Sequence, residues 1–292
     1  MEEIPDPATV IPGDNQRFPL TPSPSRHGGV RTLGIDFATE PTAAAFCMID
    51  WAGPAPRIVE GPSRPVHRDW SDLHDRIGKA DKVAIDVPLG WPVPFTEAIA
   101  AHAGRKPWPS PRADCLLRTT DKIVAGMTDS GGGRRRAPLS VSANLIGATA
   151  MEAASMLSRY AVDRSGVRGA ICEVYPAVAL RCWDLPDVGY KGTSPAAAPI
   201  RGAIVEGLAG ALHWLRGDPR TVGLLRLNDD FLDAFVCALL ARLVAIGRAN
   251  GPCSSEAQRL AEIEGWIWIP VPNALAALNA SGVEQPPALK AR

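Results

Sequence analysis

Four carboxylate-bearing motifs, each inside or at the edge of an apolar run, constrain this chain more than any other feature. They are Gly34-Ile35-Asp36-Phe37-Ala38, Ala84-Ile85-Asp86-Val87-Pro88, Cys172-Glu173-Val174-Tyr175-Pro176 and Asp229-Asp230-Phe231-Leu232-Asp233-Ala234. A lone negative charge is costly to remove from water. One such acid is readily explained by a distant arginine, whereas four of the same character imply a shared counterion. A divalent metal is the simplest one. The motifs therefore predict a metal-dependent phosphoryl-transfer or hydrolysis site on an α/β fold.

Along the chain, residues 1–28 carry six prolines and no hydrophobic periodicity, which reads as a flexible leader. Strands are predicted at 30–38, 43–50, 57–60, 82–87 and 169–175, the fourth ending at Pro88 and Gly90. Residues 70–79 read as a helix, because Trp70, Leu73 and Ile77 recur at spacings of three and four. Residues 91–140 read as an irregular insertion holding two helices and a Gly131-Gly132-Gly133-Arg134-Arg135-Arg136 loop. Further helices are predicted near 142–163, 199–216 and 230–249. They are followed by the apolar Trp266-Ile267-Trp268-Ile269-Pro270 segment (a core strand or an interface) and a frayed tail at 275–292. This gives one α/β domain over residues 29–274.

Three antiparallel-looking strands followed by two strands after helical crossovers fit a five-stranded mixed sheet of order 3-2-1-4-5, flanked by helices. That order sets Asp36 beside Asp86, since neighbouring strands lie a little under about 5 Å apart. Glu173 is placed one strand further along the same edge, where open α/β sheets bind ligands. From Phe231 to Ile246 the last long helix holds only two charged residues, Asp233 and Arg242, so it is expected to be buried. Asp230 and Asp233 are three apart and share a face of it, and a metal would relieve their repulsion. The competing explanations are ordinary ones. Asp229 or Asp230 caps the helix, Glu173 serves the backbone or an arginine, and Arg118 pairs with Asp121.

Bulk properties narrow the classes. Lys plus Arg equals Asp plus Glu at 31 each, which argues against a chain whose main task is to coat nucleic acid. The six cysteines form no C-x-x-C and suit buried free thiols. No apolar run reaches membrane-spanning length, and the N-terminus lacks a basic-then-apolar signal pattern, so a cytoplasmic location is expected. The neutral whole hides a basic stretch. Residues 105–136 carry eight Lys or Arg against three Asp, with Trp108 among them to stack a base. Arg112, Arg118, Arg134 and Lys191 are the candidate phosphate-binding residues. None of the five histidines shows metal-ligand spacing.

The set Gly34-Ile35-Asp36, Ile85-Asp86-Val87-Pro88-Leu89-Gly90-Trp91-Pro92, Arg118-Thr119-Thr120-Asp121, Glu173-Val174-Tyr175-Pro176-Ala177, Tyr190-Lys191-Gly192 and Asp230-x-x-Asp233-Ala234 resembles an uncharacterised family of predicted nucleases with an RNase H-like fold. The similarity runs over roughly residues 30–270. The Asp230–Ala234 piece is also similar to the helix that ends the catalytic acid set of RuvC-type Holliday-junction resolvases. The resemblance implies an RNase H-like fold and a metal site, and with the acid set and the basic insertion the expected activity is that of a nuclease acting on DNA or RNA with Mg²⁺ or Mn²⁺. Its catalytic residues would be Asp36, Asp86, Glu173, Asp230 and Asp233. In a two-metal scheme Asp36 bridges ions about 4 Å apart, with Asp86, Asp233 and Asp230 as the other metal ligands. Two further classes stay open: an ATP-dependent phosphotransferase of the actin-like superfamily, whose first phosphate loop Asp36-Phe37-Ala38-Thr39 loosely echoes, and a non-catalytic binding protein.

Overall fold

The first strand is buried on both faces, and its side chains alternate between two cores. In the computed structural model, which describes residues 31–127 and 138–279, β1 (Arg31–Asp36) sends Leu33 and Ile35 to one face and Thr32, Gly34 and Asp36 to the other. It is followed by β2 (Ala45–Asp50), β3 (Arg57–Ser63), α1 (Ser71–Ile77) and β4 (Lys82–Asp86). Next come α2 (Val93–Ala103), α3 (Thr119–Met127), α4 (Ile146–Leu157), β5 (Ile171–Val174), α5 (Pro176–Cys182), α6 (Ala197–Ala211) and α7 (Pro219–Leu227). The chain closes with α8 (Asp229–Ala245), β6 (Ala249–Asn250), α9 (Ser255–Glu264) and β7 (Ile267–Pro270).

The result is a mixed α/β fold with a seven-stranded sheet of order β3-β2-β1-β4-β5-β7-β6. The expected sheet of five strands is thus too small. The 3-2-1-4-5 order is present, and the Trp266–Pro270 segment adds β7 in parallel beside β5, with β6 antiparallel at the edge. β1 pairs antiparallel with β2 and parallel with β4, which pairs parallel with β5. Helices α5, α7 and α9 add to those expected from the sequence. At 7, 9 and 10 residues they are too short for a periodic pattern to set them apart from loops.

Two cores sandwich the sheet. Leu33, Ile35, Phe46, Met48, Val83 and Ile85 pack with Leu73 and Ile77 of α1 and Met156 of α4. On the opposite face Ala45, Cys47, Ala84, Cys172 and Val174 meet α8, with α6 and α7 behind it. All twelve residues from Leu232 to Leu243 are buried, as a helix apolar on every side requires. Leu275 and Leu278 are also buried, so the packed chain runs past the boundary expected at 274. The predicted leader, the 131–136 glycine-arginine loop with Arg134, and residues 280–292 of the tail lie outside the described residues. Among the described residues no helix is long and apolar enough to cross a membrane.

Candidate metal centre

Asp36 ends β1 and Asp86 ends β4, and the two stand in register as direct neighbours. Both share the parity of Gly34 and Ala84, so they face α8. Asp233 comes down onto them from the second turn of α8. That helix begins at Asn228, whose side chain accepts the Phe231 N–H at 3.0 Å. The cap is therefore neither Asp229 nor Asp230. One carboxylate oxygen from each of Asp36, Asp86 and Asp233 lies within 4.8 Å of the others.

Three such carboxylates repel and are poorly hydrated. Burial, then Asp233 and Asp86, holds the Asp36 carboxyl well above the ordinary range. Burial pushes Asp86 up to about 7, and Lys191 opposes the shift. Asp233, 1 % exposed, is also raised by burial despite favourable partners. The Tyr190 hydroxyl donates to Asp233 Oδ1 at 2.9 Å, and the Lys191 ammonium lies 2.7 Å from Oδ2. That second contact is one of charge more than of directed hydrogen bonding. Two glycines at positive φ, Gly189 and Gly192, let the chain fold Tyr190 and Lys191 toward the acids. Arg201 fixes this loop, donating to the carbonyls of Tyr190 at 2.6 Å, Gly192 at 2.9 Å and Arg226 at 3.0 Å. Asp229 accepts the Gly192 N–H at 2.9 Å. The roles of Tyr190 and Arg201 went unread in the sequence. The paired glycines around Tyr190 were the available signal.

Glu173 does not join the three aspartates. It stands beside Ile85, not Asp86, in the β4–β5 register, and so points to the opposite face of the sheet. Its Oε1 accepts from Arg118 at 2.7 Å, and its Oε2 accepts from Arg118 at 2.7 Å and from the Leu89 N–H at 3.0 Å. Arg118, 1 % exposed, directs its remaining N–H groups to Asp121 at 3.0 and 2.8 Å and to the Glu264 carbonyl at 3.2 Å. All five guanidinium donors are thereby used, and none remains for a phosphate. The Glu264 carboxylate accepts the N–H groups of Val93 at 2.9 Å and Thr119 at 2.7 Å, which ties the first turns of α2 and α3 to α9. Asp230 turns away to pair with Arg64, outside the cluster. Arg112 is exposed in the loop before α3 and does not line the cleft described next.

From Asp36 and Asp86 a cleft of about 490 Å³ opens over the carboxyl end of the sheet, with Lys191 and Tyr190 on one side and Arg118 and Glu173 in its floor. Hard oxygen donors without sulfur or imidazole suit Mg²⁺ or Mn²⁺. Oxygens bound to one such ion at about 2.1 Å lie no more than about 4.2 Å apart, so the cluster needs to tighten only slightly to share an ion. Residues 34–257 match the family described as "Protein of unknown function (DUF429)".

The chain belongs to the DUF429 family.

The DUF429 match opens at Gly34, the residue that seats α8 on β1, and takes in all three clustered aspartates, Arg118, Glu173 and Lys191. Strand β7 lies beyond it. Neither a curated protein nor a solved structure matches the chain.

Proposed function

We propose that this chain is a divalent-metal-dependent hydrolase of phosphodiester bonds in nucleic acid, with its five central strands arranged as in RNase H-like enzymes. The observation that carries the proposal is the convergence of Asp36, Asp86 and Asp233 on one point, with Asp36 and Asp86 lining a cleft. An acid cluster of this density, buried and offset by a single ammonium, is an unfavourable arrangement for a merely structural role. Carboxylates perturbed by burial and by one another beside a cleft mark a candidate functional site.

Asp36, Asp86 and Asp233 would hold the metal, which supplies an acidified water and neutralises phosphate charge. Tyr190 fixes the Asp233 carboxylate, so that its rotamer is set before substrate arrives. Lys191, more than half exposed at its side chain, presents an ammonium to the cleft where a non-bridging phosphate oxygen would lie. In the reaction a water oxygen bonds to phosphorus and the bond to one ester oxygen breaks. The leaving oxygen takes up a proton, giving an alcohol and a phosphate monoester. Glu173 and Arg118 hold the Pro88-Leu89 turn that follows Asp86, and thereby position that ligand.

The test is cleavage of single-stranded, duplex, hybrid and branched oligonucleotides with Mn²⁺ or Mg²⁺. Activity should vanish with chelator and in Asp36→Asn and Asp233→Asn. Turnover that survives either substitution overturns the proposal.

A further inference from the structure

Beyond Asp36 and Asp86 the charged groups lining the cleft are Arg118, Glu173, Lys191 and Asp187, the last engaged by Arg181 at 2.8 Å. Its apolar walls are Val87, Leu139, Ile146, Tyr175, Val188 and Ile267, contributed by five separate stretches of chain. Leu139 is 61 % exposed and Val188 40 %, so aliphatic surface stands open beside the acids instead of closing into the core. Among the described residues the floor offers no free cation, because every donor of Arg118 is already engaged by Asp121, Glu173 and Glu264. A phosphate entering this arm would lose its hydration and gain no partner among the described residues. An apolar, flat group would gain from the same surface.

We propose that this arm is a base-binding subsite, which receives one unstacked nucleobase while the adjoining phosphate lies at Asp36, Asp86 and Asp233. The inference rests on the phosphodiester reading of the acid cluster. In such a substrate the group one sugar away from the reacting phosphate is the base, with an apolar face on either side. The half-buried Tyr175 ring and the Leu139 and Val188 side chains supply surfaces for those faces. A cleft of about 490 Å³ has the size of a small-molecule site. It holds one nucleotide, not a stacked base pair. Substrates are therefore single strands, chain ends or nucleotides flipped out of a helix, whereas the interior of an intact duplex must first pay for unstacking.

The experiment uses the full chain with Mn²⁺ and two single strands of equal length, one with ordinary bases and one with abasic tetrahydrofuran residues, together with the duplex of the first. The ordinary strand should be cleaved with kcat/KM about tenfold or more above the abasic strand, as expected for loss of one base–aromatic stack, and also above the duplex. In Leu139→Ser, a change at the exposed rim that leaves the core intact, the ratio between the two strands should fall toward unity. Equal cleavage of ordinary and abasic strands by the wild type overturns the subsite and leaves the hydrolase proposal standing. A strand preference unchanged in Leu139→Ser also overturns it. Failure to cleave either single strand overturns the subsite, and failure on duplex, hybrid and branched substrates as well overturns both.

Discussion

Gly34 lies so close beneath Ala234 that a methyl group on it would stand 2.1 Å from the Ala234 carbonyl oxygen, and equally 2.1 Å from the Ala238 nitrogen. Strand β1 and helix α8 thus touch backbone to backbone. The Thr32 hydroxyl reinforces the contact by donating to the Ala238 carbonyl at 3.0 Å while accepting from the Trp51 indole at 2.8 Å. This approach is what lets a short aspartate on the helix reach an aspartate at the strand end. Gly34→Ala should destabilise the domain by about 3 kcal/mol or more, since the obstruction is backbone and cannot rotate aside. Gly202→Ala, in the middle of α6 with nothing near its added methyl, should be neutral or stabilising by up to about 1 kcal/mol. Paired thermal or urea denaturation checks both.

Without metal, Asp86 works against folding. Its carboxyl titrates near 7 in the native state and near its ordinary value of 3.8 when unfolded. Between those values the native state holds a proton that the unfolded chain has lost, so stability falls as pH rises through the window. Asp36 and Asp233 are raised as well and add to the same slope. Asp86→Asn should therefore stabilise the chelated protein above pH 7 by about 2 kcal/mol once partial solvent contact is allowed for, and so raise its melting temperature. It should also flatten the pH dependence and abolish Mn²⁺ binding. Calorimetric melting from pH 5 to 8 with chelator reads the first two, and titration reads the third. A variant less stable than wild type at pH 8 would count against the proposed electrostatics.

Glu173 and Arg118 separate structure from ligation. Removing one member of a buried ion pair strands the other, at a cost of about 3–5 kcal/mol. Arg118→Met should destabilise by that order, leaving Asp121 and Glu173 buried without their cation. Glu173→Gln should lower stability less, because Arg118 keeps Asp121 as its counterion and the amide oxygen still accepts one set of hydrogen bonds while its NH2 faces a donor, and it should leave Mn²⁺ affinity nearly unchanged. Isothermal titration beside Asp36→Asn decides the matter. Loss of metal binding in Glu173→Gln would return Glu173 to the ligand set.

Lys191 competes with any cation at Asp233. Burial opposes its charge, but the three aspartates hold its pKa above the ordinary lysine value. Lys191→Met should tighten Mn²⁺ binding about threefold to tenfold, the range expected for a partly exposed ion pair, while lowering the stability of the metal-free protein. If Lys191 also meets the phosphate, turnover of oligonucleotides should fall even as metal affinity rises. Weaker Mn²⁺ binding in this variant would show that Lys191 organises the acids more than it competes with a cation.

The local pattern of the chain determined a good deal. Apolar runs that end in Asp36 and Asp86 mark two strand termini, and the helical crossover between β1 and β4 makes them neighbours. An uninterrupted apolar helix marks α8 as the central buried element, with Asp233 as an acid too deep to cap it. What the sequence could not determine was face and partner. Glu173 belongs to the other side of the sheet because it registers with Ile85, and a one-residue slip between strands more than eighty residues apart would reverse that. Arg118 looked like a phosphate ligand until the fold brought Asp121, Glu173 and Glu264 around all five of its donors. Asp230 shares a helical turn with Asp233, yet Arg64, contributed from beyond β3, draws it out of the cluster. Periodicity is a property of neighbouring residues and can be read along the chain. Charge pairing depends on which distant segments the folded core brings together, and only the tertiary structure decides that.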